Sequence, residues 1–218
     1  MRHSENDSRS LVLSYLTLRK AIGVLGISLP FVLSLGALLI FKVHVPETIS
    51  DFYYTGMGDV FVGTLCAIGV FLLSYKGYEK EDDFAGDLAC VFAIGVALFP
   101  TTPAGDPETL EKTIGAAHLV FAALFFFTLA YFSLCLFTKT DLTKTPTPRK
   151  IRRNQVYKVC GYTIVASIVL IVLYAFLSED IKDVLSTCNP VFWLESVAVV
   201  AFGMSWLIKG EAILRDQT

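Results

Sequence analysis

Six long, almost uncharged runs decide most of what this chain can fold into. They fall at about residues 20–42, 56–75, 84–100, 114–138, 156–177 and 190–209. Each approaches the roughly 20 apolar residues that carry a helix across a bilayer. Such uniform runs have no period that separates helix from strand, but they are too long for buried strands. Backbone groups in lipid must pair within their own segment, which favours helices. Composition agrees, with 54% of the 218 residues hydrophobic and 17% charged, against about 25% charged in soluble domains. The net charge of −2 provides no basic field for nucleic acid. The expected fold is all-α: a polytopic transmembrane helical bundle of six spans in one domain (20–209). A segment at 1–19 precedes it and a tail at 210–218 follows.

Residues 1–19 do not read as a cleavable signal. The run after them is too long for a signal h-region and no small-x-small site ends it. "RSLVLSYLTLRK" (9–20) is expected to lead into the first helix, and Pro30 to bend that helix rather than end it.

Orientation follows from Lys and Arg. Fifteen of the 18 fall in the N-terminal segment, the second and fourth loops and the C-terminal end, leaving only Lys42, Lys112 and Lys182 on the other side. The positive-inside rule places both termini in the cytoplasm, and the expected location is an inner (cytoplasmic) membrane. The longest connection, "TKTDLTKTPTPRKIRRNQVYK" (138–158), reads first as a topogenic loop. Its Arg149, Lys150, Arg152 and Arg153 are also candidates for anionic lipid. Of the five cysteines only Cys188 lies outside, with no external partner, so no structural disulfide is expected.

Charge inside a span is costly, about 2.5–3.5 kcal/mol per group at mid-bilayer. Five groups lie in or at the ends of spans: Asp59, Asp87, His118, Glu195 and Lys209. Lys209 is expected to snorkel beside Glu211, and Asp87 to cap its helix or pair with Lys76 or Lys80. Asp59, His118 and Glu195 instead share a predicted depth, roughly 6–8 Å below the outer ends of spans two, four and six. Gly56, Asp59, Gly63, Cys66 and Ala67 recur on one helical face, which predicts that Asp59 faces protein. His118 shares a face with Ala122, and Glu195 with Ala198 and Phe202. "TGMGDVFVG" and "IGAAHLVFA" set Asp59 opposite His118 and hint at a repeat.

Three readings of this trio stay open. One is an outward pocket for a cation, a proton or a lipid headgroup, with Tyr53, Tyr54, His44 and Asp51 at its mouth. The second is a membrane-embedded hydrolase using His118 with Asp59 and Glu195, which are also the candidate metal ligands. The third is a structural or accessory subunit in which the cluster only packs. No H-x-x-x-H or H-E-x-x-H spacing, nucleotide loop or G-x-S-x-G elbow occurs. Tyr53, Tyr54 and Trp193 also suit an interfacial aromatic belt.

"YYTGMGDVFVGTLCAIGVFL", "DLACVFAIGVALFPTTP", "HLVFAALFFFTLAYFSL" and "FWLESVAVVAFGMSWLIKGE" resemble a group of uncharacterised bacterial six-span membrane proteins, from about residue 45 onward. The resemblance implies fold and location, and carries no activity.

Overall fold

The computed structural model describes residues 2–75, 80–140 and 145–213, with 2–14 as backbone only. Residues 76–79 (with Lys76), 141–144 and 214–218 lie outside the described residues. The described residues contain helices and no strand. All six apolar runs are helical: α1 (Arg2–Gly36), α2 (Gly58–Leu73), α3 (Lys80–Leu98), α4 (Thr109–Tyr131), α5 (Pro148–Ala175) and α7 (Pro190–Lys209). A short helix absent from the sequence reading, α6 (Glu179–Ser186), sits in the loop before α7. It exposes Ile181 and Val184 and carries acids in its first turn.

Local chemistry sets several helix ends. Glu108 and Glu111 form a capping box at the start of α4, with Glu111 Oε2 accepting from the Glu108 N–H at 2.7 Å. Thr147 caps α5 by accepting from the Lys150 N–H, and Pro148 follows at the first helical position. α1 absorbs the lead-in segment and runs straight through Pro30. It then widens into a π turn at Ala37–Phe41, and α4 does the same at Phe132–Leu136.

The helices form a ring. Each of α1, α2, α3 and α4 packs on the next, α5 packs on α7, and α7 closes onto α1. That closing contact is intimate: a Cβ on Gly203 would lie 2.6 Å from the Gly23 carbonyl oxygen, so backbones meet where side chains would not fit. One end of the ring is filled by Tyr75, Phe132, Phe137, Tyr157, Phe202 and Trp206, with rings such as Phe137 and Trp206 edge-on at 5.1 Å. Ser133 donates to Ser205 at 3.1 Å in the same region, fully buried.

The outer wall of the ring is apolar. Four helical stretches (Tyr15–Phe41, Thr109–Leu136, Pro148–Ala175 and Pro190–Lys209) are long and apolar enough to cross a membrane, yet only 28–44% of their residues are buried. Phe31, Ile40, Leu119, Phe127 and Leu173 point outward. An apolar exterior of this extent needs lipid or another apolar phase. α2 is apolar but shorter. α3 begins with Lys80, Glu81, Asp82 and Asp83 and carries Asp87, so its uncharged part is brief. All five cysteines are free thiols.

Candidate functional site

The end of the ring opposite the aromatic cluster is built around the loop 43–57. A single 3-10 turn, Ser50–Tyr54, tucks Phe52 and Ile49 into the core. Polar bonds from distant elements hold it. Glu195 Oε2 on α7 accepts from the Ile49 N–H at 2.6 Å. Asn189 donates to the Val45 carbonyl at 3.1 Å, and the Phe192 N–H to the Glu47 carbonyl at 2.8 Å. The Asp51 N–H donates to Thr48, while Asp51 Oδ1 accepts from the Thr101 hydroxyl at 2.8 Å. Tyr54 donates from its hydroxyl to the Thr101 carbonyl.

His118 on α4 is 2% exposed. Its Nδ1 lies 2.6 Å from the Phe99 carbonyl, just past the end of α3. A carbonyl only accepts, so Nδ1 carries the proton. The imidazole thus satisfies one of the orphan carbonyls at a helix C-terminus. Neighbouring Gly115 lets the 100–103 segment cross α4, because a Cβ there would overlap the Thr102 hydroxyl.

Glu195 faces the middle of the ring. It lines a cavity of about 30 Å³, with Leu29, Phe61, Leu65, Val96 and Phe125 among the walls. Its placement beside the buried Ala198 and Phe202 agrees with the predicted face. Asp51 lies in the electrostatic field of both His118 and Glu195, so the carboxylate placed at the mouth from sequence is the one their surroundings share.

Asp59 departs from the expectation. It is exposed, at the second position of α2, and the small-residue face that carries it runs from exposed Gly63 to half-buried Cys66 and Ala67. Gly63 on that face has open space around it. The buried face of α2 is instead Phe61, Leu65, Ile68, Gly69 and Leu72. Bulky side chains, with Gly69 among them, fill the ring interior here, so the stripe of small residues is not the main contact face. Nor do the residues sit equally far into their helices. α2 starts at Gly58 and α4 at Thr109, so Asp59 lies one residue and His118 nine residues into its helix. Asp59 and His118 are therefore not equivalent positions of a repeat.

The trio is not a single site. Glu195 and Asp59 line different cavities, and neither is hydrogen-bonded to His118. Among the described residues no three His, Cys, Asp or Glu side chains converge as a metal-ligand set, so His118, Asp59 and Glu195 do not supply one together. Tyr53 does join Asp59: both line an open groove of about 450 Å³ with Thr55, Gly56, Val62 and Leu98. Tyr54 stacks edge-on against Tyr53, with ring centroids 5.2 Å apart.

The opposite, basic end holds the remaining charges. Asp82, 1% exposed, meets Lys139 at 2.6 Å; this buried acid was not singled out from sequence because it sits inside the mixed run "KEDD". Asp87 is exposed, and its pairing with Lys76 lies outside the described residues. Lys209 is partly buried over the Phe137 ring at 5.2 Å, in the field of Arg19, Lys150, Asp82 and Arg153. Among the lipid candidates, Lys150 donates to the Phe137 carbonyl at 3.1 Å, Arg149 and Arg153 are partly buried, and Arg152 is exposed.

No family model matches this chain, and neither the curated proteins nor the solved structures compared with it contain a match.

Proposed function

We propose that this chain is a six-span protein of a bacterial cytoplasmic membrane, of the kind its sequence blocks resemble. In this reading its basic end and both termini are cytoplasmic, and its Asp59 groove binds an ammonium group at the outer surface. The span count and sidedness rest on six apolar helices in a ring and on the gathering of Lys and Arg at one end. The binding reading rests on one observation: Asp59 and Tyr53 line the same open groove, whose other walls include the apolar Val62 and Leu98. A carboxylate neutralises an ammonium, an aromatic face attracts it, and apolar walls suit the chain attached to it. The amine of a zwitterionic lipid headgroup has this chemistry and lies at this depth.

The test is retention of phosphatidylethanolamine during delipidation in maltoside detergent, read by native mass spectrometry. The wild type is expected to keep the lipid several-fold better than Asp59→Asn, with free ethanolamine competing weakly. Equal retention by both overturns the reading. For His118 and Glu195 the packing role is favoured by a specific observation, since each bonds the backbone of a loop. Arg152, exposed beside the partly buried Arg149, remains the proposed contact for anionic lipid at the other surface.

A further inference from the structure

Two buried donors at the basic end face one small space. Trp206 on α7 is fully buried, yet its indole N–H has no hydrogen-bond partner among the described residues. The Nε of Arg19 on α1 is likewise buried and unbonded. Both residues line a notch of about 10 Å³ between α1, α2 and α7, with Leu18, Phe71, Ser74 and Tyr75. Buried N–H groups without an acceptor are rare because each loses its hydration for nothing. Here the two belong to residues on the same cavity, and the Ser74 hydroxyl, which donates to the Val70 carbonyl, accepts from neither of them.

The surroundings favour an acceptor that carries negative charge. The guanidinium of Arg19 sits over the Tyr75 ring at 5.4 Å, which fixes its direction. Lys209 shares the field of Arg19, Lys150 and Arg153, which the Asp82 carboxylate offsets in part. A water molecule would fit the volume, but it must also donate, whereas an anionic oxygen only accepts and gains from the cations. The notch admits one oxygen atom. Anything larger must extend outward past Arg19 and Tyr15, both of which reach the surface.

We propose that this notch receives one oxygen of a phosphate group, with Arg19 Nε–H and Trp206 Nε1–H as its donors. The group belongs either to a membrane phospholipid or to free phosphate. The site is independent of the Asp59 groove, which lies at the other end of the ring.

The chain has two tryptophans, so Trp193→Phe leaves Trp206 as the sole indole signal. The ¹⁵N-labelled full chain is placed in nanodiscs of phosphatidylglycerol, in nanodiscs of a phosphate-free galactolipid, and in maltoside detergent with added inorganic phosphate. The Trp206 indole proton is expected to move downfield in phosphatidylglycerol relative to galactolipid. A further shift with inorganic phosphate assigns the site to free phosphate as well as lipid. One unchanged position in all three conditions means a bound water only and overturns the proposal. Arg19→Gln should abolish the shift while leaving the unfolding temperature near wild type. If that variant does not fold, Trp206→Phe should lose phosphatidylglycerol retention by about tenfold, as for one charge-assisted hydrogen bond. Retention equal to wild type overturns the proposal too.

Discussion

Glu195 accepts the Ile49 N–H at 2.6 Å across 146 residues of sequence, tying the 43–57 loop to α7. Ile49 opens the 3-10 turn and is itself buried. Without the acceptor its N–H would be orphaned, at a cost of about 1–3 kcal/mol. Glu195→Ala is therefore expected to lower stability by that amount. Glu195→Gln keeps an oxygen in place and should stay near wild type. Thermal unfolding in detergent compares the two, and equal losses would show that the charge rather than the bond matters.

His118 and the Phe99 carbonyl make the corresponding tie between α4 and the end of α3. His118→Ala leaves a C-terminal carbonyl without its donor, and destabilisation of about 1–3 kcal/mol is expected. Added zinc should leave the unfolding temperature of the wild type unchanged, because no third ligand approaches the imidazole among the described residues. A zinc-dependent rise that His118→Ala abolishes would restore the metal reading.

These ties explain what the sequence conveyed and what it withheld. Six helices followed from the length of the apolar runs, since length and polarity are local properties. Helical spacing set His118 on a face with Ala122 and Glu195 on one with Ala198 and Phe202, and both residues turn out to be bonded within the fold. Their partners did not follow, because both are backbone atoms of distant loops and backbone atoms leave no mark in composition. Asp59 was misplaced for a different reason. Small residues mark a helix contact only where a neighbour comes close, and the neighbours of α2 meet Phe61, Leu65 and Ile68 instead. The short α6 escaped notice because its eight residues are too few, and too acidic, to stand out beside the long spans.

Gly23 and Gly203 mark a true small-residue contact. Adding a Cβ at 203 would meet the Gly23 carbonyl oxygen at 2.6 Å and Ile27 Cγ1 at 2.7 Å. Backbone cannot yield as a side chain can, so Gly203→Val should cost about 1–3 kcal/mol as an overpacked site. Gly63→Val provides the control, since nothing lies within 4 Å of a Cβ there. Comparable unfolding temperatures for the two variants would refute the α1–α7 contact.

Tyr54 offers a pH-dependent test of the 43–57 loop. Its hydroxyl donates to the Thr101 carbonyl, and its pKa is raised by removal from water, then by Tyr53, Glu111 and Asp51. The folded state therefore holds the phenolic proton after the unfolded state has released it. Below about pH 10 both states are protonated and the contribution to stability is complete. As pH climbs through the folded value, the unfolded state gains by ionising first and that contribution is lost. Wild-type protein should lose stability more steeply above about pH 10 than Tyr54→Phe, which has no proton to release. The effect is modest because the side chain is half exposed. Melting curves of both proteins across that alkaline range decide it: parallel declines would mean that Tyr54 ionises in the fold as freely as it does in the open chain.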